Sequence, residues 1–170
     1  MGSRQNHTVN HKENLHQPTE LEQAARVKEL ALLRDRAYQY LTRREYSLYE
    51  LRQKLKPKDQ FEQLELLLKE LIQQNAQSDQ RFAKQLGRAR VNSGKGSILL
   101  EQELNQHRID PIIIESTMDD YAGEWKQLAE NARVKKFGPD LPTDYKEWAR
   151  QARFLQQRGF TVSDIPDYRG

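Results

Sequence analysis

Residues 77–109 read QSDQRFAKQLGRARVNSGKGSILLEQELNQHRI, and this stretch decides the fold. Its apolar side chains are Phe82, Leu86 and Ala89 before a Gly-x-Gly turn and Leu100, Leu104 and Ile109 after it. Their three- and four-residue spacing predicts two amphipathic helices joined by that turn. Ser78 or Asp79 is placed to cap the first helix and Ser97 the second, because short polar side chains satisfy the free amides at a helix start.

The same pattern recurs on both sides of this stretch. Leu55, Leu104 and Leu155 are each followed five or six residues later by a bulky apolar residue. They stand about fifty residues apart, a spacing that indicates a repeated and stacked supersecondary unit. No segment shows sustained alternation of apolar and polar residues. The sequence therefore predicts an all-α fold of three tandem copies of a small helical module.

The predicted organisation has four parts. Residues 1–20 form a disordered N-terminal arm, 21–76 the first helical repeat, 77–122 the second and 123–170 the third. The arm holds almost no apolar side chains, so burial cannot offset the entropy of ordering it. His7 and His11 in the arm are four residues apart, but without a helix to hold them we interpret them as solvated and predict no metal site.

Further helix boundaries follow from local signals. Ser47 and Glu50 form the S-x-x-E capping box, and Asp110 before Pro111 marks a helix start. Thr143 is predicted to cap the last long helix. The predicted apolar faces comprise Val27, Leu30, Ala31, Ala37, Tyr38 and Leu41 in a helix over 21–44; Phe61, Leu64, Leu67, Leu68, Leu71 and Ile72 over 60–74; and Tyr145, Trp148, Ala149, Ala152 and Leu155 after Thr143.

Composition limits the class of protein. The chain has 170 residues, of which 36% are hydrophobic and 31% charged, too little apolar material for a thick globular core. An elongated array of repeats fits better. The sequence contains no Cys and no apolar run of about 20 residues, so we expect a soluble, cytoplasmic protein. A net charge of +3 favours an acidic partner without identifying it.

Three small motifs invite a catalytic interpretation and do not support one. Gly94-Lys95-Gly96 before a helix resembles a phosphate loop, but such loops follow a strand, and a helix-to-helix turn is the better account. Asp119 and Asp120 are adjacent on a helix and point in different directions. His107 has no accompanying nucleophile in a recognisable context. We expect no enzyme activity and no cofactor.

Two stripes of cations are more informative. Arg81, Lys84 and Arg88 recur at helical spacing opposite Phe82, and Lys146, Arg150 and Arg153 do the same opposite Trp148. If the repeats stack, both stripes can line a common surface for phosphate or carboxylate groups. The alternative is that they are ordinary solvated helix faces, diluted by nearby Glu and Asp.

An ordered series of motifs resembles the RecX regulatory proteins of bacteria. The motifs, from residue 43 onward, are Arg43-Arg44-Glu45-Tyr46-Ser47, Glu50-Leu51, Lys54-Leu55, Asp79-Gln-Arg81-Phe82, Gly94-x-Gly96, Glu103-Leu104, Lys135-Lys136-Phe137-Gly138, Arg153-Phe154-Leu155 and Arg158-Gly159-Phe160. The resemblance extends from about Arg34 to the end of the chain. It implies three tandem three-helix repeats forming an elongated, curved array.

The resemblance also implies a function. RecX proteins bind the RecA recombinase filament, lodge in its groove, and restrain its extension and activities (ATPase, strand exchange and co-protease), which modulates recombination and the SOS response. We therefore expect a monomer that binds RecA, with DNA contacted through the filament or directly. The candidate RecA- and DNA-binding residues are Arg43, Arg44, Arg81, Lys84, Arg88, Arg90, Lys95, Lys135, Lys136, Lys146, Arg150, Arg153 and Arg158. An autonomous helical nucleic-acid-binding module is the alternative function.

The sequence departs from the RecX pattern around the glycine turn. Asn92 stands where the family has the second Arg of R-x-R, and Ser97 and Leu99 stand where Pro and Arg follow the glycines. We expect contacts made through this turn to be weaker or shifted.

Overall fold

A computed structural model of the chain describes residues 19–56 and 61–167. It is built of helices: α1 Glu20–Leu41, α2 Leu48–Leu55, α3 Phe61–Gln73, α4 Asp79–Asn92, α5 Ser97–Gln106, α6 Pro111–Asp119, α7 Trp125–Phe137, α8 Tyr145–Gln157 and a single 3-10 turn, η1, at Val162–Asp164. Within these two described ranges there is no strand, so the predicted all-α fold is confirmed. His7, His11 and most of the predicted arm lie outside the described residues.

The helices fall into three groups, which we call repeat 1 (α1–α3), repeat 2 (α4–α6) and repeat 3 (α7, α8 and η1). Each group buries its own apolar cluster. The clusters are centred on Leu51, Leu55, Leu64 and Leu68 in repeat 1, on Phe82, Leu100, Leu104 and Ile114 in repeat 2, and on Ala129, Leu155 and Phe160 in repeat 3. The recurring Leu55, Leu104 and Leu155 are all fully buried, each within the cluster of its own repeat.

Local sequence signals explain most helix starts. Ser47 and Glu50 form the predicted capping box on α2, and the Asp110 carboxylate accepts from the amide of Ile112 at the start of α6. Ser78, one of the two predicted caps, begins α4. Two predicted caps are wrong by one residue. Gly96 rather than Ser97 precedes α5, without a side-chain cap, and Asp144 rather than Thr143 caps α8.

Some predicted apolar faces are partly wrong, because these helices bury fewer side chains than their apolar patterns predict. Residues 20–29 of α1 are exposed throughout, and that helix packs on α2 and α3 through its second half, around Leu33 and Ala37. The predicted face residues that are exposed are Val27, Ala31, Tyr38, Phe61, Ile72, Ala89 and Tyr145. Among the helices described, none is long and apolar enough to cross a membrane.

Candidate interaction surface

Side chains hold repeat 1 to repeat 2, at what we call the first joint. The Asp79 carboxylate accepts from the amide of Leu48 at 2.7 Å and from the Gln77 side chain at 2.8 Å. The buried Gln77 amide also donates to the carbonyl of Tyr46 at 3.1 Å. Asp79 at the start of α4 therefore also satisfies the first amide of α2, in the neighbouring repeat.

Arg81 reinforces the first joint. Its Nε donates to Glu45 Oε1 at 2.7 Å, and its other nitrogens donate to Asn75 Oδ1 and to the carbonyls of Asn75 and Ala76. The Glu45 amide in turn donates to the Gln85 side chain on α4. A guanidinium that is engaged by four oxygens is not available for a partner molecule, so Arg81 serves the contact between the repeats.

His107 also lies at the first joint. Its Nδ1 is 3.4 Å from the hydroxyl of the buried Ser47, and its ring packs edge-on against Phe82 at 4.8 Å between centroids. This position agrees with a packing role rather than a catalytic one. No group of three or more His, Cys, Asp or Glu within the described ranges is arranged to hold a metal ion.

The main chain joins repeat 2 to repeat 3, at what we call the second joint. The amide of Gly96 donates to the carbonyl of Arg158 at 2.8 Å, and the amide of Ile98 donates to that of Gly159 at 3.0 Å. Arg158 Nη1 donates back to the carbonyls of Ser93 and Gly94. Trp125 packs against the apolar clusters of both repeats. The Gly-x-Gly turn therefore connects α4 to α5 and also provides the contact surface for repeat 3.

The structure divides the candidate cations into two sets. Five are engaged within the chain: Arg44 with Glu50 and the Tyr46 ring, Arg81 as described, Arg90 with Glu103, Arg150 with Glu147 and the Phe137 ring, and Arg158 with the carbonyls of the turn. The remaining eight side chains form no ion pair or hydrogen bond with any described residue: Arg43, Lys84, Arg88, Lys95, Lys135, Lys136, Lys146 and Arg153.

An arginine in an ion pair can change the pKa of its carboxylate partner. Burial raises the pKa of Glu50, but the hydrogen bonds and the charge of Arg44 outweigh it, so the pKa lies below its ordinary value. Each stripe predicted from the sequence loses one cation to such pairing, Arg81 from the first and Arg150 from the second. Lys84 and Arg88 remain free on α4, as do Lys146 and Arg153 on α8.

A cleft at the second joint gathers cations that the sequence placed far apart. It has a volume of about 450 Å³ and is lined by Lys135 and Lys136 from the end of α7 and by Arg158 from the end of α8. Asn92 at the end of α4 and Ser93 and Gly94 in the turn that follows also line it. No carboxylate of a described residue lines it, so its charged lining residues are all cations.

Sequence reasoning missed one arginine in repeat 3. Arg133 is buried, and it donates to Glu130, to Gln151 and to the carbonyls of Pro139 and Asp140. It secures the segment between α7 and α8. The run Arg133-Val134-Lys135-Lys136 resembles an exposed basic patch, but Arg133 shares the buried face of Ala129 because it lies four residues on.

The fold and these joints define a protein of tandem three-helix repeats, and comparisons identify its family. Residues 78–118 match the second three-helix domain of RecX, and residues 124–165 match the third. The regulatory protein RecX of Vibrio parahaemolyticus is 39% identical over 133 residues, covering 78% of this chain and 86% of the relative. That of Acinetobacter baylyi is 41% identical over 135 residues, covering 78% and 83%. The chain belongs to the RecX family.

Solved structures agree with this fold. A crystal structure of regulatory protein RecX superposes with a TM-score of 0.72, covering 87% of this chain and 77% of the other at 23% identity. The structure of RecX from Lactobacillus salivarius superposes with a TM-score of 0.67, covering 82% and 93% at 21% identity. At these identities the two structures support the architecture alone.

Proposed function

We propose that this protein binds the RecA recombinase filament and inhibits its extension and its ATPase, strand-exchange and co-protease activities. In this role it modulates recombination and the SOS response from the cytoplasm and acts as a monomer. Membership of the RecX family carries the proposal, because the relatives share 39–41% identity over most of the chain.

The arrangement of charge supports this role. Eight candidate cations spread over all three repeats form no ion pair or hydrogen bond with a described residue. A protein that lies along a filament groove needs contacts distributed over its length rather than one pocket, and tandem repeats supply them. Long-range attraction between such cations and anionic groups speeds association and selects the partner.

The test is the ATPase rate of RecA on single-stranded DNA. The protein alone is expected to hydrolyse no ATP. The amides of Gly96 and Ile98 at the glycine turn are already bonded to carbonyls of repeat 3, so the turn does not serve as a phosphate loop. Adding the protein to RecA should lower the rate in proportion to its concentration. An unchanged RecA rate at concentrations well above that of RecA would refute the proposal.

A second measurement separates filament binding from competition for DNA. The protein is added after filaments have nucleated, and their growth is followed by light scattering. A regulator that binds the filament stops extension at amounts below those of RecA. A molecule that only sequesters DNA needs amounts comparable with the DNA itself.

A further inference from the structure

The main chain between repeat 1 and repeat 2 is very short. The amide of Gln77 donates to the carbonyl of Leu71 at 3.1 Å and helps to close the end of α3, and the buried Gln77 side chain donates to the carbonyl of Tyr46. These bonds fix the chain to repeat 1 as far as Gln77. Helix α4 begins at Asp79. Ser78, extended at φ −152° and ψ 119°, therefore connects two bodies that are each internally bonded.

Apolar packing does not continue across the first joint. The buried clusters of repeats 1 and 2 have no residue in common, whereas Trp125 packs against the clusters of both repeat 2 and repeat 3. The helices that pack most extensively on one another all lie within one repeat. Since burial of apolar surface is the main stabilising contribution, each repeat is held together more strongly than repeat 1 is held to repeat 2.

The contacts that do cross the first joint are polar and reach solvent. The ion pair of Arg81 with Glu45 has side chains that are 37% and 28% exposed. Asp79 bonds to an amide of α2, and the Arg108 guanidinium lies 4.6 Å from the centre of the Tyr49 ring. Water can replace such contacts and salt screens them, so breaking them costs less than breaking buried ones.

The second joint is built differently. Main-chain bonds cross it on both sides of the buried Gly96, and Leu99 lies directly against Gly159. Arg158 adds bonds to two further carbonyls of the turn. A rotation here would separate several main-chain groups at once, and a buried amide without an acceptor is costly. Repeats 2 and 3 are therefore fixed relative to each other.

We propose that the first joint is a hinge, at which repeat 1 turns as a rigid body about Ser78 while repeats 2 and 3 move together as one unit. The conformation described is the closed state, held by Asp79 and Arg81. Opening changes the angle between the two bodies, and a partner that contacts repeats 1 and 2 together selects one angle. The hinge is a property of the free protein and does not depend on binding of RecA.

The experiment measures distances between pairs of spin labels by double electron–electron resonance, with no RecA present. The chain contains no Cys, so each introduced Cys takes a label at a known position. Lys69→Cys with Glu115→Cys spans the first joint, and Glu115→Cys with Gln156→Cys spans the second. All three positions are exposed and lie on helices, α3, α6 and α8.

The pair across the first joint should give a distance distribution about twice as wide as the pair across the second. Raising the salt concentration from about 0.1 M to about 1 M shortens the Debye length from about 10 Å to about 3 Å and should widen the first distribution further. Arg81→Met should widen it at low salt, whereas Lys84→Met on the same helix should not. The second distribution should stay narrow throughout.

Each part of the proposal has its own contrary result. Equal widths of the two distributions, or no widening of the first with salt or in Arg81→Met, would overturn the hinge. Widening in Lys84→Met equal to that in Arg81→Met would overturn the role of Arg81. A second distribution that widens together with the first would show that repeats 2 and 3 are not one unit. The salt series uses no substitution at the joint, so its result cannot arise from a misfolded joint variant.

Discussion

The main chains of Gly96 and Gly159 lie so close that a Cβ atom on Gly96 would stand 2.3 Å from the carbonyl oxygen of Gly159. A Cβ on Gly159, whose φ is +86°, would stand 2.6 Å from Leu99 Cγ. The hydrogen bonds at the second joint require this approach, since Gly96 and Ile98 donate across it. Two glycines 63 residues apart thus form one contact.

The first prediction concerns Gly96→Ala. Because the added methyl group meets main chain rather than a flexible side chain, repeat 3 must shift, at a cost of about 1–3 kcal/mol in the free energy of unfolding. The control is Gly123→Ala, which has open space around its Cβ but a positive φ, and should cost about 1 kcal/mol from backbone strain. Urea denaturation compares the two. A smaller loss for Gly96→Ala would contradict the contact.

The second prediction concerns Arg81. Arg81→Met removes the hydrogen bonds to Glu45, Asn75 and Ala76 and should lower the free energy of unfolding by about 1–2 kcal/mol, since the site is partly exposed. Lys84→Met on the same helix has no described partner and should change it by less than about 0.5 kcal/mol. Hydrogen exchange should locate the loss at the first joint. Equal effects of the two substitutions would show that the Arg81 contacts do not stabilise the first joint.

The third prediction tests the free cations of α4. Lys84→Glu with Arg88→Glu should leave the fold intact and weaken inhibition of the RecA ATPase, most strongly at low salt. The control is Lys28→Glu with Lys126→Glu, two exposed lysines that form no ion pair or hydrogen bond with a described residue and give the same change of net charge. Equal inhibition by the parent and both variants would identify this stripe as a solvated face.

A core variant separates loss of contact from loss of fold in that assay. Leu104 is fully buried, so Leu104→Ala should destabilise repeat 2 by about 2–5 kcal/mol through the cavity it leaves. This variant should inhibit the RecA ATPase less and should also unfold at a lower temperature, as followed by circular dichroism. The charge-reversed variant should lower inhibition alone.

The fourth prediction is a pH dependence. Hydrogen bonds from Arg52 lower the pKa of Glu65, and those from Arg133 lower that of Glu130. A carboxyl whose folded-state pKa is depressed contributes stability that is present above its unfolded pKa of about 4.3 and lost as the pH falls through the folded value. Urea midpoints should therefore hold from neutral pH to about pH 5 and fall below about pH 4.

Glu65→Gln provides the control for the pH experiment. The amide cannot titrate, so the variant should start less stable at neutral pH and lose less on acidification than the parent. Identical acid sensitivity of parent and variant would show that the Arg52 pair contributes nothing to it.

The sequence predicted the architecture because helical periodicity and capping are local signals. Ser47, Ser78 and Asp110 begin helices as their side chains predict. The joints were not predictable in this way. Nothing local indicates that Arg81 faces Glu45 rather than solvent, or that Lys135, Lys136 and Arg158 line one cleft. Such pairings depend on how repeats stack, which single-helix patterns do not encode.

Exposure was also predicted imperfectly. Val27 is 71% exposed although it continues an apolar pattern, because α1 extends past the helices that would cover it. Burial depends on the length of neighbouring elements, and a periodic pattern contains no information about where a neighbour ends.

The two joints differ in how evolution can alter them. The first depends on the side chains of Asp79, Gln77, Arg81 and Glu45. Single substitutions at these positions can therefore change the angle between repeat 1 and repeat 2 in small steps. The second depends on main-chain amides and carbonyls that Gly96 and Gly159 allow to approach, with the Arg158 side chain bonded to two of the carbonyls. Few substitutions preserve a contact between main chains. We therefore expect related chains to differ in the orientation of repeat 1, while repeats 2 and 3 keep the same relative orientation.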